Sequence, residues 1–356
     1  MPIVPLYGHG ALRERLLAAL AAGRLPASLL LHGPAGVGKQ RLALWLGSAL
    51  LCESASRPCG ACQSCRYCAE LAHPDLHWIF PRPRLKDADA SHDDVRADYA
   101  EAVAERVAAS GLYARPSGSE GIFVAAVRSI VHRAVMSPAM ARRKVFVVGD
   151  GERMVPQEGS EFAANAFLKL LEEPPADTTL IVTSSEPGAL LPTIRSRVVS
   201  LRVSPLAPSD MRRFLGDPVV ARALDGETLP KDAEHRLAIA GGAPGELLGG
   251  PERDAARNGA KQILDAAESG DRAAALRVAF AQGASGARGR FTDTLDALAV
   301  LLHDRTREHA GHGDEAAAAG SAGAIDAVER ARELAGGNVS PNLVTAELFR
   351  TLAGRQ

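Results

Sequence analysis

The first 205 residues alternate short apolar runs with helical periodicity, and the last hundred carry helical periodicity in separate stretches. Ala27 to His32 is an apolar run ending at a glycine, which predicts a buried strand, and a helix from Lys39 to Leu51 follows. Leu76 to Phe80, Val145 to Val148, Leu180 to Thr183 and Val198 to Val203 predict four more strands, the run at 145 having a central character. Phe162 to Glu172 predicts a helix stopped by Pro174 and Pro175. Strands separated by helices point to an α/β fold with a parallel sheet. Residues 82 to about 120 break the rhythm: they are polar and charged, with a helical stretch near Asp94 to Ala109, and read as a surface insertion.

Pro205 to Ala240 predicts a small helical unit, and GGAPGELLGGP at 241–251 reads as a boundary. Beyond it, Phe291, Leu295, Leu298 and Leu302 form one apolar stripe at helical spacing. Ile325, Val328 and Leu334 suggest another helix, Val344, Leu348 and Leu352 a last one, and His309 to Gly323 a flexible connection. Three parts are expected: an α/β domain over 1–205, a small helical lid over 206–249 and an all-helical C-terminal domain over 250–356, without internal repeat.

Composition narrows the function classes. A formal net charge of −1 gives no global field to draw the chain onto DNA or an acidic membrane. Aromatics at 4% argue against an independent nucleic-acid binder that stacks on bases. No apolar run approaches the roughly 20 residues that cross a bilayer, and the N-terminus lacks a signal-peptide pattern, so a cytoplasmic protein is expected. In such a reducing compartment, five cysteines gathered between Cys52 and Cys68 suggest metal rather than disulfides.

GPAGVGKQ at 33–40 lies between a strand and a helix, the context a phosphate-binding loop requires. Gly33, Gly36 and Gly38 let backbone N–H groups turn inward, and Lys39 supplies a point charge for phosphates. The eighth position, normally a Ser or Thr hydroxyl on Mg²⁺, is Gln40. An ATPase also needs an acidic pair at the end of a central strand. In KVFVVGDGERM at 144–154 the first acidic position is Gly149 and the second is Asp150, and Asp150 and Glu152 read as loop carboxylates facing solvent. Little or no intrinsic ATPase activity is expected, and ATP binding is left open. The cysteines are spaced C-x6-C-x2-C-x2-C-x2-C. Four thiolates close a tetrahedral, structural Zn²⁺ shell, and spacing alone permits Cys52, Cys59, Cys62 and Cys65 or the set from Cys59 to Cys68.

These pieces together resemble bacterial clamp-loader subunits of DNA polymerase III, a family of the AAA+ type. NAFLKLLEEPP at 165–175 is similar to that family's most specific signature; the cysteine knuckle ending in His73-Pro74-Asp75 and the run PTIRSR at 192–197 also fit. The resemblance covers roughly residues 5 to 250 and implies an AAA+ domain with a zinc knuckle, a lid and a helical collar. It selects Cys52, Cys59, Cys62 and Cys65 as zinc ligands and leaves Cys68 an extra thiol. It implies that Arg197, in SRV where the family has Ser-Arg-Cys, reaches in trans into the ATP site of a neighbouring motor subunit. Gln40, Gly149, and Gly245 where the motor has a sensor arginine favour the delta-prime kind of subunit over the gamma/tau motor, as does a chain ending soon after the collar. The implied role is a largely non-hydrolysing stator with gamma/tau and delta as partners, acting on the sliding clamp and primed DNA through the assembled complex in replication. The alternative is an active gamma/tau-like ATPase.

Overall fold

The computed structural model describes residues 3–87, 90–116, 120–154, 161–225, 229–282, 288–336 and 339–353. The chain divides into two compact units, the second starting at Gly250.

The first unit is built on five strands: β1 (Ser28–His32), β2 (Leu76–Ile79), β3 (Lys144–Val148), β4 (Thr178–Ser184) and β5 (Val199–Arg202). They run in parallel in the order β2-β3-β4-β1-β5. β3 and β4 are buried along their whole length, which explains why they read as continuous Val, Ile and Leu runs rather than alternating ones. β4 is the middle strand and β3 an inner one, while β5 lies at an edge with an exposed pattern. Each strand still sends alternate residues to opposite faces. Leu29, Leu31, Val145, Val147 and Ile181 pack on one side with Leu42 and Leu46 of the helix Lys39–Leu51. Leu30, Phe146, Val148, Leu180 and Val182 pack on the other with Phe167 and Leu171 of the helix Glu161–Glu172. The parallel α/β class expected from the sequence is the class observed.

The order matters for the site. β1 leads to β2 across β3 and β4, whereas β4 leads to β5 across β1. Connections therefore leave the sheet in opposite directions around β1 and β4. Ligand crevices form at the carboxyl ends of strands at such a switch point.

The stretch 82–120 is less superficial than its composition suggests. Its helix, His92–Ala108, starts at a capping box in which Ser91 and Asp94 bond each other's backbone N–H. One face then packs inward through Val95 and Ala102, and the Tyr99 hydroxyl donates to the Phe80 carbonyl at 2.7 Å. The rest of the helix surface is charged, and that majority dominates the composition. Residues 88–89 and 117–119 of this stretch lie outside the described residues. Three short helices, Pro208–Leu215, Pro218–Leu224 and Ala233–Ala240, share a small apolar cluster with the 3₁₀ turn Pro244–Leu247.

His73-Pro74-Asp75 places a carboxylate under a loop. Asp75 is 2% exposed and accepts from the backbone N–H groups of Ala139, Met140 and Ala141 at 2.6, 2.8 and 2.7 Å. Burial by itself would raise its pKa, but the three N–H bonds outweigh it and hold the carboxyl below its usual range.

The second unit is helical: Gly250–Glu268, Arg272–Ala281, Arg288–Gly311, Glu315–Gly336 and Pro341–Ala353. Phe291, Leu295, Leu298 and Leu302 are all buried against Val328, Val344 and Leu348. The expected flexible connection over His309 to Gly323 is corrected here. Helix occupies it up to Gly311 and again from Glu315, with Gly313 at φ 76° in the turn between. Alanine carries the best helix propensity, and EAAAAGSAGA outweighs its own glycines. Among the described residues no helix is long and apolar enough to cross a membrane.

Candidate functional site

The loop after β1 is placed by its glycines: Gly33, Gly36 and Gly38 take φ values of 155°, 75° and 93°. Gly38 caps the helix Lys39–Leu51, so Lys39 stands at the helix start, only 5% exposed. Its ammonium donates to the Gly33 carbonyl (2.9 Å), the Pro34 carbonyl (2.7 Å) and Ser185 Oγ (2.9 Å). An ammonium has three protons, and the loop's own atoms with Ser185 take all three. Burial pulls the Lys39 pKa down to about 8, opposed by the nearby charges of Asp150 and Glu152.

Gln40 is held at both ends of its amide. Oε1 accepts from Trp78 Nε1 at 2.9 Å and Nε2 donates to Asp150 Oδ2 at 3.0 Å. The amide passes directly over Gly149: a Cβ on Gly149 would lie 2.4 Å from Gln40 Oε1 and 2.7 Å from Nε2. The two departures noted in the sequence are thus one fitted contact. The long amide of Gln40 fills the volume that any side chain at 149 would need. Asp150 and Glu152 do not face solvent as expected. Asp150 is bound to Gln40, and Glu152 Oε1 accepts from the Ser185 N–H at 2.9 Å. Burial, reinforced by the Asp150 charge, pushes the Glu152 carboxyl above its ordinary range.

The segment that closes over this loop contains Gly245. Its N–H donates to the Gly36 carbonyl at 2.9 Å, and a Cβ on it would lie 2.7 Å from Gly36 Cα. Backbone meets backbone there, leaving no space for a side chain at 245. Trp78, Ser185 and this closure were not legible in the sequence as parts of the site. Trp78 sits on edge strand β2, and only the strand order brings it beside Gln40.

Cys52 closes the helix Lys39–Leu51, and Cys62 caps the short helix Gln63–Ala69. The sulfurs of Cys52, Cys59, Cys62 and Cys65 lie within 4.8 Å of one another. Cys59–Cys65 and Cys62–Cys52 are both 3.9 Å apart, against about 3.8 Å between sulfurs in a tetrahedral shell with ~2.3 Å metal bonds. The N–H groups of Cys62 and Cys65 point at Cys59 and Cys62 sulfurs at 3.3 and 3.4 Å, as a knuckle holding thiolates requires. These four residues can hold one metal ion. Cys68 lies outside the set, buried in the apolar core beside the helix Lys39–Leu51, and burial pushes its thiol up to about 12.

Arg197 follows the short helix Pro192–Arg195. Its side chain is 30% exposed. Nε donates to Glu172 Oε2 at 3.1 Å, and Nη1 to the Thr193 carbonyl at 3.0 Å and to Ser196 Oγ at 3.2 Å. Glu172 comes from the LLEEPP segment, so the two most specific sequence runs meet at this ion pair.

Comparison with known proteins places the chain. Residues 8–207 match the family model described as DNA polymerase III, delta subunit. A DNA polymerase III subunit delta' of Pseudomonas aeruginosa is 33% identical over 218 residues, 60% of this chain and 52% of that protein. The Escherichia coli subunit delta' is 29% identical over 55% of this chain and 46% of its own length. A DNA polymerase III subunit gamma/tau of Mycobacterium tuberculosis is 32% identical over 68% of this chain and 35% of its own length. The chain therefore spans about half the length of the delta' relatives it matches. With more than half of its residues inside the family model, and with delta' proteins among its relatives, the chain belongs to the DNA polymerase III, delta subunit family and is a delta-prime-like protein.

Proposed function

We propose that this chain is a largely non-hydrolysing stator of a clamp loader, which binds gamma/tau and delta subunits and completes a neighbouring motor's ATP site with Arg197. The observation that carries the reading is the Gln40 amide over Gly149. Hydrolysis needs a hydroxyl and a carboxylate around Mg²⁺. Here the hydroxyl position is an amide tied to Trp78 and Asp150, and the carboxylate position is a glycine beneath it. Self-satisfied Lys39 and the contact of Gly245 on Gly36 support the same reading. The gamma/tau relatives keep an active motor as the alternative, and Lys39 is the feature that favours it.

In this reading Zn²⁺ fills the shell of Cys52, Cys59, Cys62 and Cys65 and is structural, because four thiolates leave no open position. Work on the sliding clamp and primed DNA is done by the assembled complex, and the cytoplasm is where this replication machinery operates.

Arg197 tests the role in trans. Its bonds are to an exposed carboxylate and to local groups at its own turn, so its loss costs the isolated chain little. A guanidinium delivered to a neighbour's γ-phosphate stabilises charge that develops during transfer. With Arg197→Ala, the melting temperature and complex formation should barely change. Clamp- and DNA-stimulated ATP hydrolysis by the reconstituted loader should fall partly, because other motor sites take arginines from motor neighbours. Arg197→Lys should rescue poorly, a point charge lacking the planar fork. Unchanged hydrolysis and clamp loading in a verified Arg197→Ala complex would remove Arg197 from the mechanism.

A further inference from the structure

An arginine without an acceptor lies beyond β2. Arg106, on the helix His92–Ala108, has its guanidinium carbon 3.3 Å from the ring centre of Phe80, 4.0 Å from Tyr113 and 4.5 Å from Trp78. Three aromatic faces fix the plane of the fork and strip much of its water. Yet Nη1 is buried with no hydrogen-bond partner, and the guanidinium forms no hydrogen bond or ion pair with the described residues. A half-buried guanidinium with one buried N–H unpaired is costly unless something accepts from it.

Arg106 lines a cavity of about 340 Å³ at the carboxyl end of β2. Two other arginines line it, but both are committed. Arg82 grips Asp98 through Nε and Nη2 at 3.1 and 2.9 Å, and Arg115 is ion-paired with Glu246. Glu105 and Glu120 stand on the same walls. Those carboxylates disfavour a polyanionic strand, and leave room for a small ligand anchored on one fork. A planar guanidinium held by rings matches two oxygens of one anionic group.

We infer that this cavity is a binding site for a small oxyanion, a phosphate or a carboxylate, gripped by Arg106. It is separate from the phosphate loop but linked to it, because Trp78, which stacks on Arg106, also donates to Gln40.

Tryptophan fluorescence reads the site. The chain has two tryptophans, so the full-length protein is used with Trp45→Phe, leaving Trp78 as reporter. Inorganic phosphate and acetate are titrated separately at constant ionic strength. A saturable change with one of them is expected, and which one saturates identifies the group recognised. Arg106→Gln should weaken it by at least about tenfold, and Arg106→Lys, which keeps the charge but not the fork, should fall between. If Arg106→Gln does not fold, the lysine variant and the parent titration decide. No saturable change with either anion overturns the inference. So does binding that survives Arg106→Gln and disappears with Lys39→Ala, which would put the anion in the phosphate loop.

Discussion

At the scale of single residues, the site is defined by what fits over Gly149. Gln40 and Gly149 looked like two independent losses in the sequence, each removing a Mg²⁺-binding group. In three dimensions they depend on each other, since the amide of one occupies the side-chain space of the other. This makes a prediction that two separate losses would not. Gly149→Ala alone should destabilise the α/β unit by about 1–3 kcal/mol through overpacking. In a Gln40→Ala background most of that cost should vanish, a coupling read from melting temperatures in a double-mutant cycle. Additive effects would mean that the amide and Gly149 do not share that space. The residue types at 40 and 149 were legible in the sequence. Their contact was not, because it depends on β1 and β3 being separated by β4 and on Trp78 reaching across from β2.

At the scale of elements, the sequence was most informative where periodicity was strong. The helix Lys39–Leu51 and the buried strands β1, β3 and β4 were legible because their burial is nearly continuous. The stretch His309 to Gly323, expected as a flexible connection, is helix on both sides of a short turn at Gly313, alanine propensity carrying the second helix past its glycines. The helix Val124–Ala134 was not recognised in the sequence. Spacing of the cysteines left two sets of four open. In the structure Cys68 turns into the core while the other four sulfurs converge. One Zn²⁺ per chain is therefore expected by elemental analysis. Cys59→Ser or Cys62→Ser should lose it and destabilise the fold, whereas Cys68→Ser should keep it. Metal lost with Cys68→Ser but kept with Cys52→Ser would mean that the wrong four were chosen.

The Asp75 loop gives a pH test on a second element. Its carboxyl is held below the unfolded value near 3.8, so its contribution is present above that pH and lost as pH falls through the lower folded value. Asp75→Ala removes the buried acceptor of three loop N–H groups and should cost about 1–3 kcal/mol at neutral pH. The difference between parent and variant should narrow in acid, followed by chemical denaturation from pH 7 downward. A difference that holds constant to pH 2 would assign the effect to packing.

At the scale of the whole molecule, the proposed stator role accords with a near-neutral chain in which Lys39 is bonded to its own loop and to Ser185. Lys39 braces its own loop, Glu152 braces Ser185, and Arg197 stands paired with Glu172 at the surface. The most direct test of this account is steady-state ATP hydrolysis by the purified, isolated chain in excess Mg²⁺, beside the Lys39→Ala variant. The stator account predicts negligible turnover that Lys39→Ala leaves unchanged, whereas robust Mg²⁺-dependent hydrolysis abolished by Lys39→Ala would contradict it.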